Sequence, residues 1–120
     1  MARYESLSAR DARLARERRV VALDAADQAL AALAAAGFNA LVVGSLAGGR
    51  VFRKDSDLDL LVRAPGDPEA ARALVAALQL PMPVDVVGEA ELPPRILSTM
   101  LDHALDASAL RACRGEARAA

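Results

Sequence analysis

Cysteine is almost missing from this chain of 120 residues: Cys113 is the only one. No disulfide can form within it, and a single thiol near a terminus is not a metal cluster. Aromatic residues are nearly absent too, limited to Tyr4, Phe38 and Phe52. The core must therefore be built from Leu, Val and Ala. Neither sign of charge prevails. Lys and Arg number 15 against 16 Asp and Glu, for a formal net charge of -1. A groove that tracks a nucleic-acid backbone needs a clear basic excess, so direct nucleic-acid binding is not expected. No apolar run is long enough to span a bilayer. The opening MARYESLSARDARLARERR is charged and lacks the apolar stretch of a secretory signal. The expectation is a soluble, cytoplasmic protein.

What is there reads as one α/β domain. Ser6 or Ser8 can cap a helix running towards Ala36, with Leu14, Val21, Leu30 and Leu33 on one face and Gly37 as its stop. The arginines at 10, 13, 16, 18 and 19 make its first half basic. They form either a solvated face or a docking surface for an acidic partner. Phe38 to Val43 reads as a first strand ending at Gly44. Leu58 to Val62 reads as a second, and Val84 to Val87 as a third. Asp67 as N-cap and Pro68 at N1 open a helix with Ala71, Leu74, Val75 and Leu78 on one face, ended by Pro81. Pro93-Pro94 opens another, carrying Ile96, Leu97, Met100 and Leu101. A short edge strand near Ala104–Asp106 and a weak tail helix complete the order. The expected division is a leading helix (1–37), a core (38–106) and a C-terminal tail (107–120), all in one structural domain. The sheet is expected to have three or four strands.

The stretch "DSDLDLLV" carries the chemistry. Alternation along a strand puts Asp57 and Asp59 on one face, with Leu58 and Leu60 on the other. Asp85 is the other acid within an expected strand. If the third strand lies beside the second, three carboxylates converge. Like charges at close range raise one another's pKa or demand a cation. Oxygen donors without a His-Cys set suit Mg²⁺ or Mn²⁺. Mg²⁺ usually takes substrate phosphates as further ligands, which points to a nucleotide. Gly44 lets backbone approach a ligand closely, and Ser45 opens a short helix beside it, placed to hold a phosphate. Two metals about 3.5–4 Å apart would suit in-line displacement at phosphorus. The lone His103 reads as a surface or half-buried side chain rather than a ligand.

Gly44-Ser45-Leu46-Ala47-Gly48-Gly49 followed by Ser56-Asp57-Leu58-Asp59-Leu60 resembles the GSxAxG…SDxDL signature of the nucleotidyltransferase superfamily with the DNA polymerase β-like palm. The short chain resembles its minimal nucleotidyltransferase (MNT) branch, from about Phe38 to Asp106. The resemblance implies an α+β palm with a mixed sheet. It implies Gly44, Ser45 and Ser56 as nucleotide contacts, and Asp57, Asp59 and Asp85 as catalytic, metal-binding acids for two Mg²⁺ ions, with ATP as substrate. Asp85 matches the acid that assists the attacking hydroxyl. The segment Gly49–Ser56 is one residue longer than the commonest form of the signature, and Gly48-Gly49 stands where one glycine is usual. Stand-alone MNT proteins resemble antitoxins paired with a HEPN-domain ribonuclease toxin, which implies AMP transfer to a tyrosine hydroxyl on that toxin. Two other readings stay open: an antitoxin acting by contact alone, and a nucleotidyltransferase acting on a sugar or aminoglycoside.

Overall fold

The computed structural model describes residues 7–119. Helix α1 (Leu7–Ala35) is followed by strand β1 (Ala40–Val43), a single helical turn α2 (Gly44–Ala47) and strand β2 (Leu58–Val62). Helix α3 (Pro68–Ala77), strand β3 (Val84–Gly88), helix α4 (Pro94–Leu101) and helix α5 (Ala107–Ala119) complete it, with a short 3₁₀ turn at Glu89–Glu91. The sheet is mixed, in the order β1-β2-β3. β1 runs antiparallel to β2, and β2 parallel to β3.

Local chemistry sets the boundaries. The chain leaves α1 through Gly37 at φ 90°, a left-handed conformation glycine adopts without cost. The Phe38 N–H donates to the Leu33 carbonyl at 2.9 Å, closing the turn. Of the two expected caps of α1, Ser6 lies outside the described residues and Ser8 falls within the helix. Asp67 caps α3 as expected, its carboxylate accepting the Glu69 N–H at 3.0 Å, with Pro68 at the first helical position. That helix ends at Ala77, earlier than Pro81. Gln79 there takes φ 51° and turns the chain towards β3. The edge strand expected near residue 105 is reduced to one bridge. Val42 and Leu105 exchange two hydrogen bonds of 2.9 Å on the free side of β1.

The core lies between the sheet and the helices α1, α3 and α5. Leu58, Leu60 and Val62 are fully buried from β2, with Val42 from β1 and Leu110 from α5. The buried face of α1 is Ala22, Leu23, Ala26, Ala29, Leu30 and Leu33. Val21, expected on that face, is 46% exposed. Small alanines let the helix lie close to its neighbours, and that close approach rotates Leu23 rather than Val21 inward. The basic half of α1 is partly put to structural use. Arg18 donates to the Phe52 carbonyl at 3.1 Å and Arg19 to the Leu46 carbonyl at 3.2 Å. These two bonds pin the segment between α2 and β2 on both sides of Arg50.

Helix α4 differs from the others: it has no buried residue, and Ile96 is 45% exposed. Two of its apolar side chains, Ile96 and Met100, line a cavity. Among the described residues, no helix is long and apolar enough to cross a membrane.

Candidate active site

Strand register builds the site. Parallel pairing sets Asp59 of β2 directly against Asp85 of β3, and antiparallel pairing sets Asp59 against Val43 of β1. Neighbouring strands are about 4.8 Å apart, so the two aspartates rise side by side from one face. The other face holds Leu58 and Leu60, both fully buried. Asp57 stands one residue before β2, exposed.

Gly44, immediately after β1, has φ 77°. A Cβ placed there would meet Asp59 Oδ2 at 2.2 Å. The Asp59 carboxylate is therefore seated against bare backbone, in space that only glycine leaves. That packing has an electrostatic consequence. Burial pushes the Asp59 carboxyl up to about 6, the charges of Asp85 and then Asp57 add to the rise, and Arg50 opposes it. Asp59 and Asp85 form a like-charge pair, Asp57 adds its charge without joining them, and the cost falls on Asp59.

These groups open onto a cavity of about 750 Å³, within the range of roughly 300–1,000 Å³ usual for small-molecule sites. Its strand end is lined by Val43, Gly44, Asp59 and Asp85, with Gly48 and Arg50 from the segment after α2. The opposite wall comes from Leu92 and from Ile96, Thr99, Met100 and His103 on and after α4. The Thr99 hydroxyl is engaged by the Arg95 carbonyl at 3.1 Å, which leaves His103 as the titratable group of that wall.

Of the six residues singled out from the sequence, three line the cavity: Gly44, Asp59 and Asp85. Ser45 is half-buried beside Gly44 without lining it, and its carbonyl accepts the Arg50 N–H at 3.1 Å. Asp57 reaches the cavity by its field on Asp59 and not as a wall. Ser56 is placed elsewhere. Its hydroxyl accepts the Arg53 N–H at 2.8 Å within its own turn, and it lines a separate hollow with Leu14, Arg18 and Phe52. The hydroxyl expected to reach a nucleotide bonds within its own turn, and Ser56 does not line the cavity. Arg50, Met100 and His103 were not singled out as site residues. Arg50 had a signal in its place between Gly48-Gly49 and the acids; the α4 residues had none, because they arrive by tertiary packing.

Among the described residues, no three His, Cys, Asp or Glu side chains converge closely enough to form a metal cage on their own. Asp59 and Asp85 form a two-carboxylate platform, and Asp57 is exposed and does not line the cavity. Mg²⁺ is commonly held by one or two carboxylates with substrate phosphates completing its shell. The donor chemistry fits that arrangement and does not fit a closed protein site.

Comparison with known proteins places this geometry. Residues 6–94 match the family model described as the phosphoribosyl-dephospho-CoA transferase MdcG C-terminal domain. The match takes in β1, β2 and β3 with all three acids, and it ends where α4 begins. A solved structure described as a minimal nucleotidyltransferase is 35% identical, superposes with a TM-score of 0.58, and aligns over 72% of this chain and 94% of its own. No curated protein matches the chain.

Proposed function

Because the chain belongs to the MdcG C-terminal domain family and is a nucleotidyltransferase of the minimal kind, we propose that it moves AMP from ATP to a hydroxyl group. The acceptor in this reading is a tyrosine of a HEPN-domain ribonuclease toxin, and the protein neutralises that partner as its antitoxin in the cytoplasm. The observation that carries the chemistry is the direct register of Asp59 with Asp85 beside Gly44. The partner assignment rests on the likeness of the Gly44–Leu60 signature to stand-alone MNT proteins.

In this account the acceptor oxygen attacks the α-phosphorus of ATP. The bond to the β-phosphate breaks in line, and pyrophosphate leaves. Asp85, the more exposed of the pair, takes the acceptor proton. Asp59, held against the Gly44 backbone, fixes the position of the second carboxylate. Bound Mg²⁺, or Mn²⁺ in its place, supplies neutralisation of the charge that develops on the phosphate oxygens. Asp59 and Asp85 are the residues that would hold it, with Asp57 the third acid of the signature. Gly44 gives the Asp59 carboxylate its seat against the backbone, and the α-phosphate would lie beside it, with Ser45 next in the chain.

A second reading is favoured by one specific observation, the family match over residues 6–94. In it the transferred group is phosphoribosyl-dephospho-CoA, the group in the family's own description; the donor carries it as a triphosphate, the acceptor hydroxyl attacks its α-phosphorus, and pyrophosphate leaves as in the first reading.

Incubation with Mg²⁺, ATP and the co-encoded partner, followed by mass spectrometry of that partner, tests the first reading. AMP added to a tyrosine supports it. An unmodified partner that is still inhibited returns the protein to a contact antitoxin. In a parallel incubation with the triphosphate form of phosphoribosyl-dephospho-CoA in place of ATP, a phosphoribosyl-dephospho-CoA adduct with release of pyrophosphate supports the second reading in its place.

A further inference from the structure

The acids at the strand end create a difficulty for any polyphosphate. A donor carrying several negative charges must enter a space walled by Asp59 and Asp85, with the charge of Asp57 near enough to act on Asp59. Metal ions relieve part of this repulsion. The phosphates furthest from the carboxylates need a cation of their own. Arg50 and His103 are the basic side chains lining the cavity, and they lie at different ends of it.

Arg50 has an unusual combination of a fixed base and a free head. Its N–H donates to the Ser45 carbonyl at 3.1 Å, and the Gly48 N–H donates to the Gly44 carbonyl at 3.0 Å. Arg19 holds the Leu46 carbonyl before it and Arg18 the Phe52 carbonyl after it. The side chain lies over Gly48, where a Cβ would come within 3.7 Å of Arg50 Nε. The guanidinium itself is exposed and makes no hydrogen bond or ion pair with the described residues. Its charge acts on Asp59, opposing the rise of that carboxyl's pKa. Other arginines near the sheet are committed: Arg63 to Glu89, and Arg72 to Glu69 and Glu91. A guanidinium presents donors in a planar fork that matches phosphate oxygens two at a time. When its backbone is fixed beforehand, little ordering cost remains to be met on binding.

We infer that Arg50 is the protein's own polyphosphate-binding cation, gripping the terminal phosphates of the donor and then the pyrophosphate that leaves. This rests on the nucleotidyl-transfer reading and adds a residue to it. It also gives a purpose to the longer Gly49–Ser56 segment, which carries the arginine to the rim of the cavity.

The test is titration calorimetry with Mg²⁺ present, using pyrophosphate, a non-hydrolysable α,β-methylene ATP and AMP as probes. The proteins are the wild type, Arg50→Ala, Arg50→Lys and Arg53→Ala. Arg53 removes the same charge from the same segment without touching the cavity. Thermal melts check that each variant is folded. Arg50→Ala is expected to weaken pyrophosphate and the ATP analogue by ~10–100-fold, the worth of a charge-assisted contact. AMP binding should change much less, Arg50→Lys should recover part of the loss, and Arg53→Ala should resemble the wild type. Equal losses in Arg50→Ala and Arg53→Ala, or an equal loss for AMP, would overturn the assignment while leaving nucleotidyl transfer standing. If the wild type binds none of the three probes, both readings fall together.

Discussion

The two walls of the cavity are built in opposite ways. The strand wall is rigid and strained: Asp59 and Asp85 are locked in register, Asp59 is pressed against Gly44, and its carboxyl is held near 6. The α4 wall buries nothing and contributes Ile96, Thr99, Met100 and then His103 to the open space. The family match covers the first wall and stops where the second begins. The difference separates two tasks. Strands fix the reacting acids to within fractions of an ångström, as positioning for phosphoryl chemistry requires. A loosely held helix with an apolar face suits the part of a substrate that differs from one relative to the next.

This division can be broken by experiment, beginning where the largest effect is expected. Asp59→Asn combined with Asp85→Asn should lower nucleotidyl transfer by ~10²–10⁴-fold while the far-UV circular dichroism spectrum stays unchanged. Transfer at the wild-type rate would remove the strand wall from the chemistry. Gly44→Ala should be next. Its methyl group meets Asp59 Oδ2 and the backbone is held at positive φ. A loss of about 1–3 kcal/mol in urea denaturation is expected, together with impaired transfer.

Asp59→Asn alone should move stability the other way. The carboxyl ionises near 3.8 in the unfolded chain and near 6 in the folded one. As pH rises through this window the unfolded chain sheds its proton first, so the ionising carboxyl costs stability between about 4 and 6, and the full cost remains above. Removing the charge should therefore stabilise the metal-free protein at pH 7.5 by about 1–2 kcal/mol, allowing for the partial exposure of the group. It should do nothing near pH 3.5. A pH-independent difference would contradict the account of Asp59, and addition of Mg²⁺ should erase the advantage of the variant. The smallest effect on stability is expected for Ile96→Ala and Met100→Ala on α4, within about 0.5 kcal/mol. Their signature should appear in substrate affinity instead. A large loss of stability would show that α4 belongs to the core after all.

The same division explains what could be read from the sequence. The strand wall is written locally. Alternation put Asp59 opposite Leu58 and Leu60, and the Gly-Ser turn after an apolar run marked the ligand side of β1. Asp85 was legible as the one acid in an apolar strand, although its facing Asp59 depended on β3 pairing with β2. The α4 wall is written in no short pattern. Ile96, Leu97, Met100 and Leu101 have the spacing of a core helix, and only the course of the chain after β3 decides that this face meets a cavity. Ser56 was read from the signature, and the structure places it in a turn, where its hydroxyl accepts the Arg53 N–H away from the cavity lining. Leu23 was passed over in favour of Val21 because alanines at 22, 26 and 29 set the helix rotation, and their contribution to a helix face is weak in any hydropathy pattern. Arg50 sets a positive charge opposite the demand of Asp59 and its acidic neighbours for a cation, and it lies in the segment that departs most from the usual form of the signature.

The most direct measurement is a crystal structure with Mn²⁺ and α,β-methylene ATP, read by anomalous scattering. The account predicts a metal peak bounded by Asp59, Asp85 and phosphate oxygens, with the triphosphate beside Gly44. Nucleotide bound elsewhere, or no metal at the Asp59–Asp85 pair under saturating nucleotide, would contradict it.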